Sequence, residues 1–374
     1  MRVGINGLFW KQQTGSGQYT RCLVRELMAL KTEYTLFLPP EAEPGTENPH
    51  HRFITTPFSK NENLAKVWFE QASFPRACQG MDMAHVPYFA PPLYPSIPTV
   101  VTIHDLIPLI LPAYKGSLLV RLYTRLVSIA AQHAQAIITD SGSSKRDIIN
   151  LLKMPEERVH TIPLAADDRF KPEVGTSELD QVRQKYSLPQ AFILYLGGFD
   201  QRKNMKTLFQ GFRGLRERLG DKYPLVLAGT LPSKDTPFFP HPRRLAEEAG
   251  VSDGVRFIGW VPEEEKPALY SLATLFLYPS LYEGFGLPPL EAMASGTPVI
   301  ASHASSLPEV VGDGGVLVDP QEPEAWAEAM VAVLTSPQKR EEISAKAVEQ
   351  AQKFSWRRTA RETLEVYKQV AAVR

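Results

Sequence analysis

Leu275-Phe-Leu-Tyr-Pro-Ser-Leu-Tyr-Glu283-Gly284-Phe285-Gly286-Leu287-Pro288-Pro289-Leu290-Glu291-Ala-Met-Ala-Ser-Gly296-Thr-Pro298-Val-Ile-Ala301 decides how this chain is to be read. An apolar run ends at Pro279 and a glycine-bearing turn follows. Pro288-Pro289 then opens a helical stretch that stops at Gly296, before a second apolar run begins. The pattern predicts strand, loop, helix, strand. Proline at the start of a helix gives up an amide that would have been orphaned anyway, so the other free amides of the first turn can point at an anion. Gly284 and Gly286 carry no Cβ to hold a ligand away from the backbone. The unit reads as a phosphate seat. Glu283 in the loop and Glu291, expected in the first helical turn, flank it; a carboxylate accepts two hydrogen bonds and suits a vicinal diol. Each Glu alone reads equally as a solvated loop acid or a favourable first-turn charge.

Around this stretch lie 374 residues, more than one core sustains, so two domains are expected. Basic and acidic residues balance at 41 each and form no run that would track a phosphodiester backbone, which argues against nucleic acid as a partner. Only Cys22 and Cys78 occur, too few for a disulfide framework or a zinc site, and this points to a reducing compartment. The apolar start is too short for a signal peptide, and no stretch approaches the ~18 apolar residues of a membrane span. The expectation is a cytoplasmic protein, with peripheral contact at the inner face of the membrane left open.

Apolar strands alternate with helical stretches through both halves, which predicts an α/β protein of two doubly wound parallel sheets. Gly15 and Gly17 form a glycine loop between the first strand and first helix. The loop departs from the dinucleotide fingerprint, because Thr20 stands where its third glycine belongs and Pro39-Pro40 replace the expected ribose-binding acid. A plain tight turn explains it as well. His104 and Asp105 follow the buried strand Pro98–Ile103, at the sheet edge where such folds bind ligands. In the second half, the strand Ala191–Leu196 ends in Gly197-Gly198, and Arg202-Lys203-Asn204 follow at the mouth of a helix. A planar fork beside a compact ammonium suits a diphosphate, although a solvated basic turn is the plainer alternative.

Glu283 to Glu291 resembles the Glu-x(7)-Glu motif of the retaining nucleotide-sugar glycosyltransferases of family 4, which have the GT-B fold. Gly-Gly-x(3)-Arg-Lys-Asn resembles the same family's diphosphate motif. The resemblance implies two Rossmann-like domains facing a cleft: residues 1–170 on the acceptor side, 171–355 on the donor side, and 356–374 as a helix returning to the first domain. It implies transfer of a hexose with retention of configuration, no obligatory metal, and a nucleoside diphosphate sugar as donor. His104 would act near the donor hexose, with Asp105 beside it. Glu283 would hold hexose hydroxyls and Glu291 the ribose diol. Arg202 and Lys203 would hold the diphosphate, assisted by the amides of Phe285, Gly286 and Leu287; Gly15, Gly17 and Gly198 would let the backbone approach the donor. The backbone after Gly259-Trp260 would lie against the base. Val67-Trp-Phe-Glu-Gln, Pro87-Tyr-Phe-Ala-Pro-Pro and Thr102-Ile-His-Asp-Leu-Ile-Pro are similar to bacterial mannosyltransferases of O-antigen and exopolysaccharide synthesis. That favours GDP-mannose, with a UDP-hexose as the other donor, and a glycan or polyprenyl-linked glycan as acceptor. Replacing Arg202 or Lys203 by Ala is expected to depress turnover far more than stability.

Two further stretches carry expectations. Leu64, Val67, Trp68, Gln71 and Phe74 recur on one side of a helix over Asn63–Ala77 and read as core. Residues 115–133 form an apolar helix bearing Arg121 and Arg125, read as a core helix with two solvated arginines, the other reading being a membrane-surface helix. A non-hydrolysing sugar-nucleotide epimerase and a non-catalytic nucleotide-sugar binding protein are rival functions, as is a NAD-dependent dehydrogenase, which needs the fingerprint that fails at Thr20. An epimerised donor would mark the first, and donor affinity without transfer or hydrolysis the second.

Overall fold

A computed structural model describes residues 1–12, 14–42, 50–58, 61–114 and 116–372. The chain forms two compact units, Met1–Leu164 with Ser355–Arg374, and Ala165–Phe354. The division falls at Leu164, not at residue 170, because Phe170 packs its ring against Tyr270 of the second unit at 5.9 Å.

In the first unit β1 (Val3–Asn6), β2 (Tyr34–Leu38), β3 (His51–Phe53), β4 (Met83–Val86), β5 (Thr99–Thr102), β6 (Ala136–Thr139) and β7 (Val159–Thr161) form one sheet in the order β3-β2-β1-β4-β5-β6-β7. In the second, β8 (Ile193–Leu196), β9 (Leu225–Ala228), β10 (Val255–Gly259), β11 (Leu275–Tyr278), β12 (Val299–Ser302) and β13 (Val316–Val318) run β10-β9-β8-β11-β12-β13. Every pairing is parallel. The inner strands are short and, apart from Thr35 in β2, buried along their whole length, as a sheet covered by helices on both faces demands. Both sheets carry the strand order of dinucleotide-binding folds, with order reversals between β1 and β4 and between β8 and β11; ligands bind outside the carboxyl ends of the strands at such reversals.

Strand β3 is a short edge strand, mostly exposed, that pairs with β2 from His51 to Phe53. The helix expected over Asn63–Ala77 is broken into Glu62–Trp68, a wider π-turn Phe69–Ser73, and Phe74–Ala77. The π-turn adds a residue and rotates the stripe, so Phe69 and Phe74 are buried while Leu64 and Trp68 are exposed. The core reading of residues 115–133 also fails. Helix Leu118–Ala131 buries only Val127, Ala130 and Ala131, and leaves Leu118, Leu119, Val120, Leu122 and Ile129 exposed.

The last helix, Trp356–Ala372, is built into the first unit. Ser355 Oγ accepts from Arg358 N at 3.2 Å and so caps the helix start. Thr359 Oγ1 donates to the Pro163 carbonyl at 2.7 Å, and buried Tyr367 reaches His85 Nδ1 at 2.6 Å.

Candidate active site

In the second unit the chain leaves β8 through Gly197-Gly198 and makes a single 3-10 turn, Gln201–Lys203. Asp200 caps this turn by accepting from Arg202 N at 3.2 Å, which aims both cations back at the sheet edge. Across the order reversal, β11 leads into the loop that carries Glu283. Lys203 Nζ donates to Glu283 Oε1 at 2.6 Å and to Tyr278 OH at 2.7 Å. Arg202 Nη1 donates to Glu283 Oε2 at 2.5 Å. Both carboxylate oxygens are therefore engaged, one by each cation. The Glu283 backbone is held as well: its N–H donates to Ser305 Oγ at 2.8 Å, and Ser306 Oγ donates to its carbonyl at 2.9 Å.

Glu283 is 8% exposed and Lys203 7%. Burial works against the charge of Glu283, yet Lys203 and Arg202 outweigh it and hold its carboxyl below the usual range. Burial, with Arg202 adding to it, pulls the Lys203 ammonium down, and Glu283 opposes. Asp200 pairs with Arg202 as well, its Oδ1 lying 3.3 Å from Nε, so two carboxylates balance the two cations, and an anion taking the place of Glu283 between them would meet both positive charges.

The helix after Glu283 spans Leu287–Ala294, with Gly286 as its N-cap at φ 124°. That backbone is open to glycine only, and a Cβ here would meet Leu307 Cδ2 at 2.8 Å. Pro288 is the second helical residue rather than the first. Among the described residues the amides of Phe285, Gly286 and Leu287 have no hydrogen-bond acceptor, leaving them directed out of the helix start. Glu291 falls in the second turn, not the first, so the helix dipole gives it little. It is 3% exposed and accepts from Tyr270 OH at 3.1 Å. Burial, helped by the charge of Glu263, pushes Glu291 up to about 7 against the pull of Lys266 and Arg169.

Beside this cluster a cavity of about 270 Å3 opens at the carboxyl ends of β8, β9 and β10. Gly197, Gly198, Gly229, Thr230, Trp260 and Lys266 line it. Gly229 sits at φ 148°, and a Cβ there would lie 2.1 Å from the Gly197 carbonyl, so the cavity wall depends on its absence. Trp260 is 55% exposed, offering a flat indole face at the rim.

The structure thus brings Arg202, Lys203 and Glu283 into one cluster, with Gly198 in the neighbouring cavity wall. His104, Asp105, Gly15 and Gly17 lie in the first unit. There His104 Nδ1 meets Asp140 Oδ2 at 2.7 Å, and Asp105 Oδ1 accepts from Ile107 N at 3.0 Å. Gly17 has a structural reason: a Cβ would lie 2.2 Å from the Gln12 carbonyl. Gly15 has none, since a Cβ there meets nothing within 4 Å. Sequence reasoning missed Asp140, Tyr278, Lys266 and Ser305-Ser306. Asp140 was findable, as the acid that ends the strand beside the one before His104; the others carry no local signal.

Two Rossmann-like units with a paired arginine and lysine at an order reversal define a nucleotide-handling α/β protein. Family profiles sharpen this class: one described as Glycosyltransferase Family 4 matches residues 14–170, and one described as Glycosyl transferases group 1 matches residues 178–350. The O-antigen chain mannosyltransferase B of Escherichia coli is 36% identical over 270 residues, 72% of this chain and 70% of that protein. The serotype-specific mannosyltransferase WbdA of Escherichia coli is 34% identical over 71% of this chain, which spans only 33% of that longer protein. Among solved structures, sucrose-phosphate synthase from Thermosynechococcus elongatus superposes with a TM-score of 0.79 at 22% identity, covering 100% of both chains, a likeness of fold. The chain belongs to the family 4 glycosyltransferases of GT-B fold, and is a nucleotide-sugar-dependent hexosyltransferase.

Proposed function

We propose that this enzyme transfers mannose from GDP-mannose to a hydroxyl of a glycan or polyprenyl-linked glycan, with retention at the anomeric carbon. The observation that carries the reading is the triad of Arg202 with buried Lys203 and Glu283, beside the cavity rimmed by Trp260. The similarity to the O-antigen chain mannosyltransferase B supports mannose as the sugar. On this reading the diphosphate draws Arg202 and Lys203 away from Glu283, whose freed oxygens accept from hexose hydroxyls. The idle amides of Phe285, Gly286 and Leu287 add to the anion site, Glu291 takes the ribose diol, and the indole of Trp260 lies against the base. In the first unit, His104 serves the hexose. The bond from the anomeric carbon to the diphosphate oxygen breaks, and the acceptor oxygen bonds to that carbon on the same face. The acceptor's proton passes to the departing phosphate oxygen, whose growing charge the two cations stabilise.

A thermal-shift screen of GDP-mannose against UDP-glucose and other UDP-hexoses tests the donor. A ligand at a hundred times its Kd stabilises the folded state by about 2.7 kcal/mol, so GDP-mannose should raise the melting point clearly. A rise with UDP-hexoses alone would overturn the choice of donor.

Peripheral membrane contact is part of the same reading. Leu118 and Leu119 are more than 70% exposed, and Arg121 and Arg125 from the same helix line an open cavity of about 470 Å3. Neither arginine has an acidic partner among the described residues. Exposed leucines beside unpaired arginines fit the interface of an anionic bilayer. Two cysteines, both buried and free, fit a cytoplasmic site, and no helix among the described residues is long and apolar enough to cross a membrane. The protein should sediment with vesicles containing anionic phospholipid and not with zwitterionic ones, and Arg121→Ser with Arg125→Ser should abolish this; equal behaviour with both vesicle types would overturn the contact.

A further inference from the structure

In the first unit β5 and β6 end side by side, and the residues that follow them are tied together. Thr139 Oγ1 donates to the Ile103 carbonyl at 2.7 Å, and Ser144 Oγ to the His104 carbonyl at 3.0 Å. Between these ties His104 Nδ1 meets Asp140 Oδ2 at 2.7 Å. Asp140 is 2% exposed, and its other oxygen, Oδ1, receives no hydrogen bond. Among the described residues His104 is its one ion-pair partner. A carboxylate so deeply buried must have its charge met, and the imidazole is the group in place to meet it.

The other face of the imidazole is held too. The Tyr19 ring stands nearly perpendicular to it, centroids 4.9 Å apart. Tyr19 is fixed through a buried chain: its hydroxyl lies 3.1 Å from Thr102 Oγ1, which lies 2.8 Å from His85 Nε2, whose Nδ1 lies 2.6 Å from the Tyr367 hydroxyl of the last helix. Tyr19, Thr102, His85 and Tyr367 are all essentially inaccessible to solvent. The ring therefore has a charge on one side and a braced aromatic edge on the other.

We propose that Asp140 is a positioning residue for the transfer reaction, locking the orientation and protonation of the His104 imidazole. The inference rests on the site role given to His104 above. The groups facing His104 act in one direction. Burial lowers its pKa, but Asp140, Asp105 on its own loop and the Pro87 carbonyl outweigh burial and raise it. His85 behind it is pushed down to about 3 by burial and by His104 itself, so it stays neutral and adds no competing charge. With Asp140 removed, only Asp105 and the Pro87 carbonyl oppose burial, and the ring loses its proton at lower pH.

The test is Asp140→Asn, which keeps shape and deletes charge, studied alone and together with His104→Gln. Histidine 15N NMR of the full chain, with the His104 signal assigned by its loss in the Gln variant, reads the ring without any substrate. Its titration should move to lower pH in Asp140→Asn, while the remaining histidine signals report an intact fold. With GDP-mannose as probe and GDP release as readout, Asp140→Asn should lower kcat ten- to a hundredfold with KM for the donor within about twofold. In the His104→Gln background it should have no further effect, because its action passes through the ring. An unmoved His104 titration, or additive losses in the double variant, would overturn the proposal. If His104→Gln itself turned over normally, the role of His104 in the reaction would fall, and the NMR result would show that separately.

Discussion

Lys203→Ala should lower turnover by about 10²- to 10³-fold, the loss typical of removing one preorganised partner of a developing anion. It should also cost stability. The sequence suggests an active-site cation whose loss spares the fold, but the structure places Lys203 against a carboxylate that is 8% exposed. Deleting one member of a buried pair leaves the other uncompensated, at about 3 to 5 kcal/mol. Arg202 still reaches Glu283 Oε2, so the lower end of that range is expected. Adding Glu283→Gln to Lys203→Ala removes the stranded charge and should restore much of the melting temperature while leaving turnover low. Thermal melts and steady-state rates on the two variants separate the effects. Near-normal turnover in Lys203→Ala would remove the cation from the mechanism.

Glu291→Gln should change how stability depends on pH. Glu291 titrates at about 7 in the fold, against about 4.5 for an ordinary glutamate. Between those values the folded protein binds the proton and the unfolded chain does not. The stabilisation is therefore fully present below pH 4.5 and is lost as pH rises through 7, on the order of 3 kcal/mol at most. The glutamine side chain cannot ionise, so the variant should gain on the parent steadily across that window and melt higher at pH 8. Donor binding should move the other way. An ionised carboxylate accepts from both ribose hydroxyls, and such bonds contribute about 1.5 to 3 kcal/mol each, so donor affinity in the parent should rise as pH passes 7. The variant should bind roughly ten- to a hundredfold more weakly at pH 8 and show no such rise. Parallel melting curves at every pH would contradict the burial of a protonating acid at this position.

The doubly wound sheets were legible because buried parallel strands leave a strong signature: Ile193–Leu196 and Leu275–Tyr278 are unbroken apolar runs. The cluster of Arg202, Lys203 and Glu283 was legible as residue types in sequence motifs, not as an ion triad. That the cations turn on Glu283 depends on 80 residues of intervening chain closing the order reversal between β8 and β11. Asp140 shows in the sequence only as an acid ending a strand, since the pairing of that strand with its neighbour is what brings it to His104. Helix Leu118–Ala131 defeats a reading by composition, because apolar content reports what a helix could bury, while the narrow face offered by Val127, Ala130 and Ala131 decides what it does bury. The π-turn at Phe69–Ser73 has no periodicity of its own and shifts the stripe unseen.

The last helix belongs to a unit whose other members were synthesised some 190 residues earlier, with Ala165–Phe354 intervening. As the chain emerges from the ribosome, the second unit can complete its fold from contiguous sequence, while the first must wait with His85 and Tyr19 lacking Tyr367. Nascent chains stalled before residue 355 should hold a protease-resistant second unit and a first one still open to cleavage. A polar chain that braces the His104 ring thus also times when the first unit becomes whole.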